Sequence, residues 1–104
     1  MIETVIRKRI EILTDAPLVP RISAACEAAG ISGHTVIPAL SGRGRAGPWS
    51  EDRLSGAQSK VVVLAIASAE RADALLDALA PVLDSHGLLV LVGDVAVIRG
   101  ERFG

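Results

Sequence analysis

The segment richest in anion-binding groups runs from residue 41 to residue 58 and contains four glycines and three arginines. Glycines let backbone amides turn toward a bound anion. Arg43 and Arg45 add guanidinium donors that match phosphate or carboxylate oxygens in pairs. The stretch Gly42-Arg43-Gly44-Arg45 therefore predicts an anion site, with a solvated flexible loop as the open alternative.

Four further side chains extend this candidate site. Arg99 and Arg102 end the last predicted strand, where in an oligomer they can reach a neighbour's loop. Arginines at a strand end are otherwise solvated or paired with acids. Trp49 lies in the glycine-rich segment and is expected to be an exposed apolar anchor for a partner protein, together with Arg53; folding back on its own subunit is the alternative.

Catalytic motifs are missing from the sequence. It has no Ser/His/Asp triad spacing, nucleophile elbow or Walker lysine loop, and Asp15 and His86 are the only candidates for an acid or base. His34, His86 and Cys26 have no metal-ligand spacing, so no metal site is predicted.

Composition narrows the class of protein. The chain has 104 residues, a net charge of −1, 2% aromatic residues and one cysteine. These values argue against a nucleic-acid binder and exclude an internal disulfide. The longest apolar run, Val61–Ala67, is far shorter than the roughly 20 residues of a membrane span. We expect one domain, residues 1–104, in the cytoplasm and without direct membrane insertion.

The first half predicts a strand, a helix and an edge strand. Arg9–Thr14 has the pattern of a strand. Asp15-Ala16-Pro17 then opens a helix that Gly30 ends, with Cys26 as a small core residue on its apolar stripe. His34–Leu40 is a second strand, and Pro38 within it places it at a sheet edge because proline cannot donate to the ladder.

The second half predicts strand, helix and strand, followed by a short extra strand. Lys60–Ala67 is a continuous β-branched run, typical of a strand buried on both faces. Ser68 caps a helix in which Pro81 predicts a kink or a loosened last turn. Gly87–Val92 is the fourth strand, and Val95–Arg99 a fifth after a Gly93–Asp94 turn.

This order is the α+β, ferredoxin-like βαββαβ pattern, in which two helices cover one face of a four-stranded sheet. The third and fourth strands are apolar on both faces, so one apolar face remains bare. Burying it at roughly 25 cal/mol per Å² would contribute many kcal/mol to assembly. The sequence therefore predicts an obligate homo-oligomer.

The chain resembles the P-II signalling superfamily over roughly residues 8–103. The resemblance rests on the order and spacing of several short elements. They are Ile10–Asp15, Gly33-His34-Thr35-Val36, the Gly-Arg-Gly-Arg start of segment 41–58, the helix after Ser68, His86-Gly87-Leu88-Leu89 and Ala96-Val97-Ile98-Arg99-Gly100-Glu101.

The resemblance implies a homotrimer that binds adenine nucleotides between subunits and docks on transporters or enzymes through a long T-loop, here segment 41–58. Thr35 resembles the threonine near the adenine, and Gly42–Arg45 the loop base that meets phosphates. His86, Gly87 and Leu88 lie on the loop that closes over the nucleotide. Arg99 and Arg102 resemble the arginines that a neighbouring subunit contributes.

Two departures from the nitrogen-regulating members affect these expectations. The lysine that they carry before the fourth strand is absent from Asp84-Ser85-His86-Gly87-Leu88, and the chain has no T-loop tyrosine to modify. It looks closer to the P-II-like proteins linked to bicarbonate transporters and carboxysomes. The expected effector is accordingly ATP, ADP, AMP or cyclic AMP, with bicarbonate as a further ligand.

The expected function is non-catalytic regulation of a partner, an integral-membrane transporter in the first instance, with weak nucleotide hydrolysis left open. A metal-responsive ferredoxin-like trimer linked to metal tolerance or efflux is the alternative, in which His34 and His86 would be the residues of interest. A small enzyme on the same sheet is a third hypothesis.

Overall fold

A computed structural model of the chain describes residues 2–50 and 59–104. Four strands form the main sheet: β1 (Thr4–Asp15), β2 (Thr35–Ala39), β5 (Lys60–Ala67) and β6 (Leu89–Ile98). A two-stranded hairpin, β3 (Ser41–Gly44) and β4 (Gly47–Ser50), leaves the sheet after β2. The helices are α1 (Val19–Ala28) and α2 (Ala69–Ser85), with short 3-10 helices at Ala16–Leu18 and Gly100–Phe103.

The main sheet has the order β2-β5-β1-β6, and its neighbouring strands are antiparallel. This is the order of the ferredoxin-like βαββαβ fold, which confirms the predicted α+β class. β2 is an edge strand, as Pro38 requires. No helix of the described residues is both long and apolar enough to cross a membrane.

One face of the sheet packs on the helices because apolar side chains alternate along β1 and β5. Ile10 and Ile12 of β1 and Val63 of β5 are at most 1% exposed, and they meet Ile22 of α1 and Leu75 of α2 in one core. Cys26 belongs to this core, as predicted, and burial raises the pKa of its thiol.

Neither α-helix packs on the opposite face of the sheet. Strand alternation places one set of apolar side chains on it, and Leu89 and Leu91 are each 51% exposed there. Arg9 and Glu11 form an ion pair of 2.6 Å on the same face. The apolar members of this open face include Leu13, Ile37, Val62, Leu64, Ile66, Leu89 and Leu91 near the cleft end and Val5, Val95 and Val97 at the far end.

Two strand predictions need correction. The first strand begins at Thr4 rather than Arg9, and the predicted fifth strand, Val95–Arg99, does not exist as a separate element. β6 runs unbroken through Gly93 and Asp94 because β1 pairs with it along its whole length, and Lys8 Nζ contacts Asp94 Oδ1 at 2.6 Å. Pairing with a distant strand overrides the local turn signal.

The helices follow the sequence signals with two differences. Asp15-Ala16-Pro17 starts a 3-10 turn, and α1 itself begins at Val19. Gly30 ends it as predicted, with a φ of +78°. α2 stays helical past Pro81 to Ser85, whose Oγ donates to the Pro81 carbonyl at 2.9 Å, so the predicted loosening of the last turn is wrong.

The segment predicted as a loop over residues 41–58 is a hairpin in its first part. β3 and β4 pair Gly42 with Trp49 and Gly44 with Gly47 around a tight turn at Arg45 and Ala46. Gly47 has a φ of +105°, a conformation that glycine adopts at little cost. The remainder of the segment, residues 51–58 with Arg53, lies outside the described residues.

Candidate functional site

A cleft of about 970 Å³ lies where the hairpin meets one end of the main sheet. The hairpin tip supplies its first wall, the α2–β6 loop its second, and the ends of β1, β5 and β6 its floor. Its lining includes Asp15, Arg43, Arg45, Trp49, Lys60 and Leu88.

The hairpin places both predicted arginines at the cleft. Arg43 is the register partner of Pro48 in the hairpin, and Arg45 lies in the turn. Both residues therefore belong to the same wall of the cleft. Neither Gly42 nor Gly44 has the positive φ of a curled anion nest; both lie in β3. The groups that this wall offers to an anion are therefore the side-chain cations of Arg43 and Arg45 rather than a nest of backbone amides.

Trp49 is half-buried, which corrects the expectation of an exposed anchor. A Cβ added at Gly42 would lie 2.4 Å from Trp49 Cζ2, so the indole occupies the space above this glycine. Lys60 Nζ is 5.5 Å from the centroid of the ring, within the range of a cation–π contact. The side chain thus folds back on its own subunit, which was the alternative expectation for this residue.

Asp15 and Lys60 are the cleft residues that sequence reasoning missed as a pair. They are register partners at the ends of β1 and β5, and Lys60 Nζ contacts Asp15 Oδ1 at 2.8 Å. Ala16 N donates to the carbonyl of Ser59 at 2.9 Å and fixes the two strand ends together. A separation of 45 residues hid this pair, and only the register of two distant strands could have revealed it.

The α2–β6 loop supplies Gly87 and Leu88 to the cleft, as the resemblance implied, while His86 does not line it. His86 ends α2, and its Nδ1 is 2.8 Å from Ser85 Oγ.

Three predicted residues lie away from the cleft. Thr35 is the first residue of β2 and pairs with Leu64 of β5. It lies four residues before Ala39, the residue of β2 that pairs with Lys60 at the cleft. Arg99 and Arg102 follow the far end of β6. Arg99 stands ten residues beyond Leu89, which at about 3.3 Å per residue puts it roughly 30 Å from the cleft.

The residues considered for metal binding or acid–base chemistry contact other side chains rather than one another. His34 Nε2 is 2.9 Å from Ser23 Oγ, and Asp15 pairs with Lys60. Within residues 2–50 and 59–104, no three His, Cys, Asp or Glu side chains come together as a metal site needs. Among the contacts of these residues, none joins Asp15 to His86.

Comparison with known proteins gives the class to which this fold and cleft belong. The model of the family "Nitrogen regulatory protein P-II" matches residues 7–102, nearly the whole chain. The chain therefore belongs to the P-II family, which confirms the resemblance noted in the sequence. A search of curated protein sequences gives no significant match.

Solved structures have the same fold. CPII, a nitrogen regulatory PII-like protein from Thiomonas intermedia K12 bound to ADP, AMP and bicarbonate, superposes with a TM-score of 0.89 at 24% identity, covering 99% of this chain and 98% of that one. The same protein has been solved with ADP, AMP and acetate.

Two further structures extend the comparison. A putative PII-like signaling protein from Thermus thermophilus has a TM-score of 0.84 at 23% identity, over 98% and 99% of the two chains. The GlnK–ATP complex of B. subtilis has a TM-score of 0.62 at 14% identity, over 86% and 82%. The fold is thus shared by structures that hold different adenine nucleotides.

Proposed function

We propose that this P-II family chain is a non-catalytic sensor that binds an adenine nucleotide in clefts between the subunits of a homotrimer. The observation that carries the proposal is the cleft itself, where Arg43, Arg45 and Lys60 face one space beside Gly87 and Leu88. Three cations around one cleft favour a ligand with phosphate or carboxylate groups. CPII, with ADP, AMP and bicarbonate bound, is the precedent for both kinds of anion.

Assembly follows from the open face of the sheet. A contiguous apolar surface that includes Leu64, Leu89 and Leu91 is costly to leave in water, and a second copy of the same chain is the partner that is always present. A closed ring of three copies buries this face in each of them. The ring also brings a neighbour's Arg99 and Arg102 toward a cleft that they cannot reach within their own chain.

The nucleotide acts on a partner through segment 41–58. Its first ten residues form the hairpin that walls the cleft, so a ligand that contacts Arg43 and Arg45 also contacts the base of this segment. A ligand shifts the conformation only when it binds one state more tightly than the other. We assign to the segment, with Arg53 and the part of the Trp49 side chain that stays exposed, the docking of an integral-membrane transporter.

The nucleotide proposal is tested by isothermal titration calorimetry with ATP, ADP, AMP and cyclic AMP. At least one should bind, and Arg43→Ala should weaken it about tenfold because a charge-assisted hydrogen bond is lost. Arg21→Ala, at an exposed position of α1, is the matched control and should leave the affinity unchanged. Failure of all four nucleotides to bind at millimolar concentration would refute the proposal.

The partner proposal is tested separately through the genes that flank the coding sequence. A bicarbonate permease, ammonium channel or efflux pump is expected among them. Its product should co-purify with the wild-type chain, and the nucleotide should change the yield. Co-purification that is insensitive both to nucleotide and to Trp49→Ala would contradict a docking role for the segment.

A further inference from the structure

At the edge of the cleft, the side chains of Asp15 and Trp49 both contact the ammonium group of Lys60. Lys60 Nζ lies 2.8 Å from Asp15 Oδ1 and 5.5 Å from the centroid of the Trp49 ring. The backbone holds two of them in place, because Asp15 and Lys60 are register partners at the adjoining ends of β1 and β5. The ammonium group of Lys60 is therefore held between a carboxylate and an aromatic ring.

The charge around the cleft is unequal. The described residues that line it include three cations, Arg43, Arg45 and Lys60, and a single carboxylate, that of Asp15. An anion bound among the cations must share Lys60 with Asp15 and is repelled by the Asp15 carboxylate at the same time. Both effects grow with the charge of the ligand.

The ion pair is weak enough to be exchanged. The Asp15 side chain is 50% exposed and that of Lys60 28%, and exposed ion pairs contribute little net stability. A bound phosphate that accepts a hydrogen bond from Lys60 can therefore replace the Asp15 carboxylate without a large cost to the fold. Movement of Nζ toward such a ligand also changes its contact with the Trp49 ring.

We infer that Asp15 determines the charge preference of the cleft by competing with the bound anion for Lys60. This inference rests on the proposed function, namely that the cleft binds an anion. Asp15 lowers the affinity for every anionic ligand, and it does so most for those that carry most charge. The same exchange makes Trp49 a reporter of occupancy, because the chain has one tryptophan and no tyrosine.

The test compares the wild type with Asp15→Asn, which removes the charge and keeps the shape. The probes are ADP, AMP, pyrophosphate and bicarbonate, measured by calorimetry on the assembled full-length protein. Affinity should rise by about threefold for each negative charge that the ligand places near residue 15, so the gain for ADP and pyrophosphate exceeds that for AMP and bicarbonate.

The matched control is Asp94→Asn. Like Asp15, Asp94 has an exposed carboxylate that pairs with a lysine of the sheet, here Lys8 of β1 at 2.6 Å. Unlike Asp15, it does not line the cleft. The control should bind each probe as the wild type does. Far-ultraviolet circular dichroism of all three proteins checks that they are folded.

Trp49 emission gives a second readout on the wild type alone, which does not depend on the variant. Pyrophosphate does not absorb in the relevant range, and it should change the emission with the same midpoint as its binding measured by calorimetry. Sodium chloride of equal ionic strength should not reproduce the change.

The outcomes separate the inference from the function on which it rests. Equal affinities of wild type and Asp15→Asn, or an equal gain for all probes, would overturn the inference and leave the anion-binding cleft intact. Binding without any change of Trp49 emission would also count against the exchange of Lys60. Absence of binding in all three proteins would overturn the inference and the proposed function together.

Discussion

The two ends of the sheet carry the two halves of the predicted site, and they are held in different ways. At the far end, Arg7 Nε donates to the Gly100 carbonyl at 3.0 Å, and Gly100 itself packs against Val5. At the cleft end, the Trp49 indole of the hairpin contacts Lys60 Nζ of the sheet, and Lys60 in turn pairs with Asp15, both side chains being partly exposed. The far end is the fixed end, because its 3-10 helix cannot shift without displacing Val5. The cleft end is the adjustable end, because the hairpin meets the sheet there through partly exposed side chains.

This difference suggests a division of labour between neighbouring copies. The fixed end carries Arg99 immediately before the short 3-10 helix and Arg102 within it. The adjustable end contains the cleft and leads into segment 51–58. If the proposed function holds, a nucleotide that joins the two ends across a subunit boundary would reorganise the adjustable end, which continues into segment 51–58.

The largest expected effect comes from preventing assembly, because a monomer would keep its cleft apart from the Arg99 and Arg102 of a neighbouring copy. Leu64→Lys places an ammonium group on the open face of β5, where assembly would bury one such charge per copy at a cost of several kcal/mol. We expect multi-angle light scattering to report a monomer that keeps its circular dichroism spectrum and no longer binds ADP.

The control for that variant is Ala74→Lys, an exposed position of α2 that should remain trimeric. A Leu64→Lys protein that keeps both its trimeric mass and its ADP affinity would show that the open face is not the assembly surface.

A smaller effect is expected from adding one methyl group at each end. A Cβ at Gly100 would lie 2.6 Å from Val5 Cβ, an atom fixed by the β1 backbone, so the 3-10 helix must shift. We expect Gly100→Ala to lower the free energy of unfolding by about 1–3 kcal/mol in urea titrations.

Gly42→Ala meets only the edge of the Trp49 indole, which can rotate away. Its loss of stability should be the smaller of the two, about 1 kcal/mol or less, and accompanied by a red shift of Trp49 emission. Gly44→Ala, with open space around the added methyl, is the control for emission. A larger loss of stability for Gly42→Ala than for Gly100→Ala would reverse the comparison.

The sequence predicted those elements whose signals are local. The β-branched run Lys60–Ala67 is a strand with the predicted bounds, Gly30 ends α1, and Pro38 marks the edge strand. Each depends on the conformational preferences of a few adjacent residues. The continuous apolar runs Lys60–Ala67 and Gly87–Val92 likewise predicted that one face of the sheet stays open, because helices cover the other face alone.

Contacts between distant residues account for what the sequence did not predict. Gly93 and Asp94 have the local pattern of a turn, but pairing with β1 keeps them in a strand. The hairpin forms although Gly-Arg-Gly has low β-propensity, because Trp49 fills the space above Gly42. The pairing of Asp15 with Lys60 was not predicted, because the two residues are 45 positions apart in the sequence.

The central claim is that one copy supplies the cleft and another supplies Arg99 and Arg102. Its most direct test is ADP calorimetry on trimers co-expressed from two variants, Arg43→Ala/Arg45→Ala and Arg99→Ala/Arg102→Ala, each of which should bind ADP weakly by itself. In an equal mixture, about a quarter of the sites should combine two intact halves and recover wild-type affinity, as symmetry requires. No recovery of tight sites in the mixture would contradict a site shared between subunits.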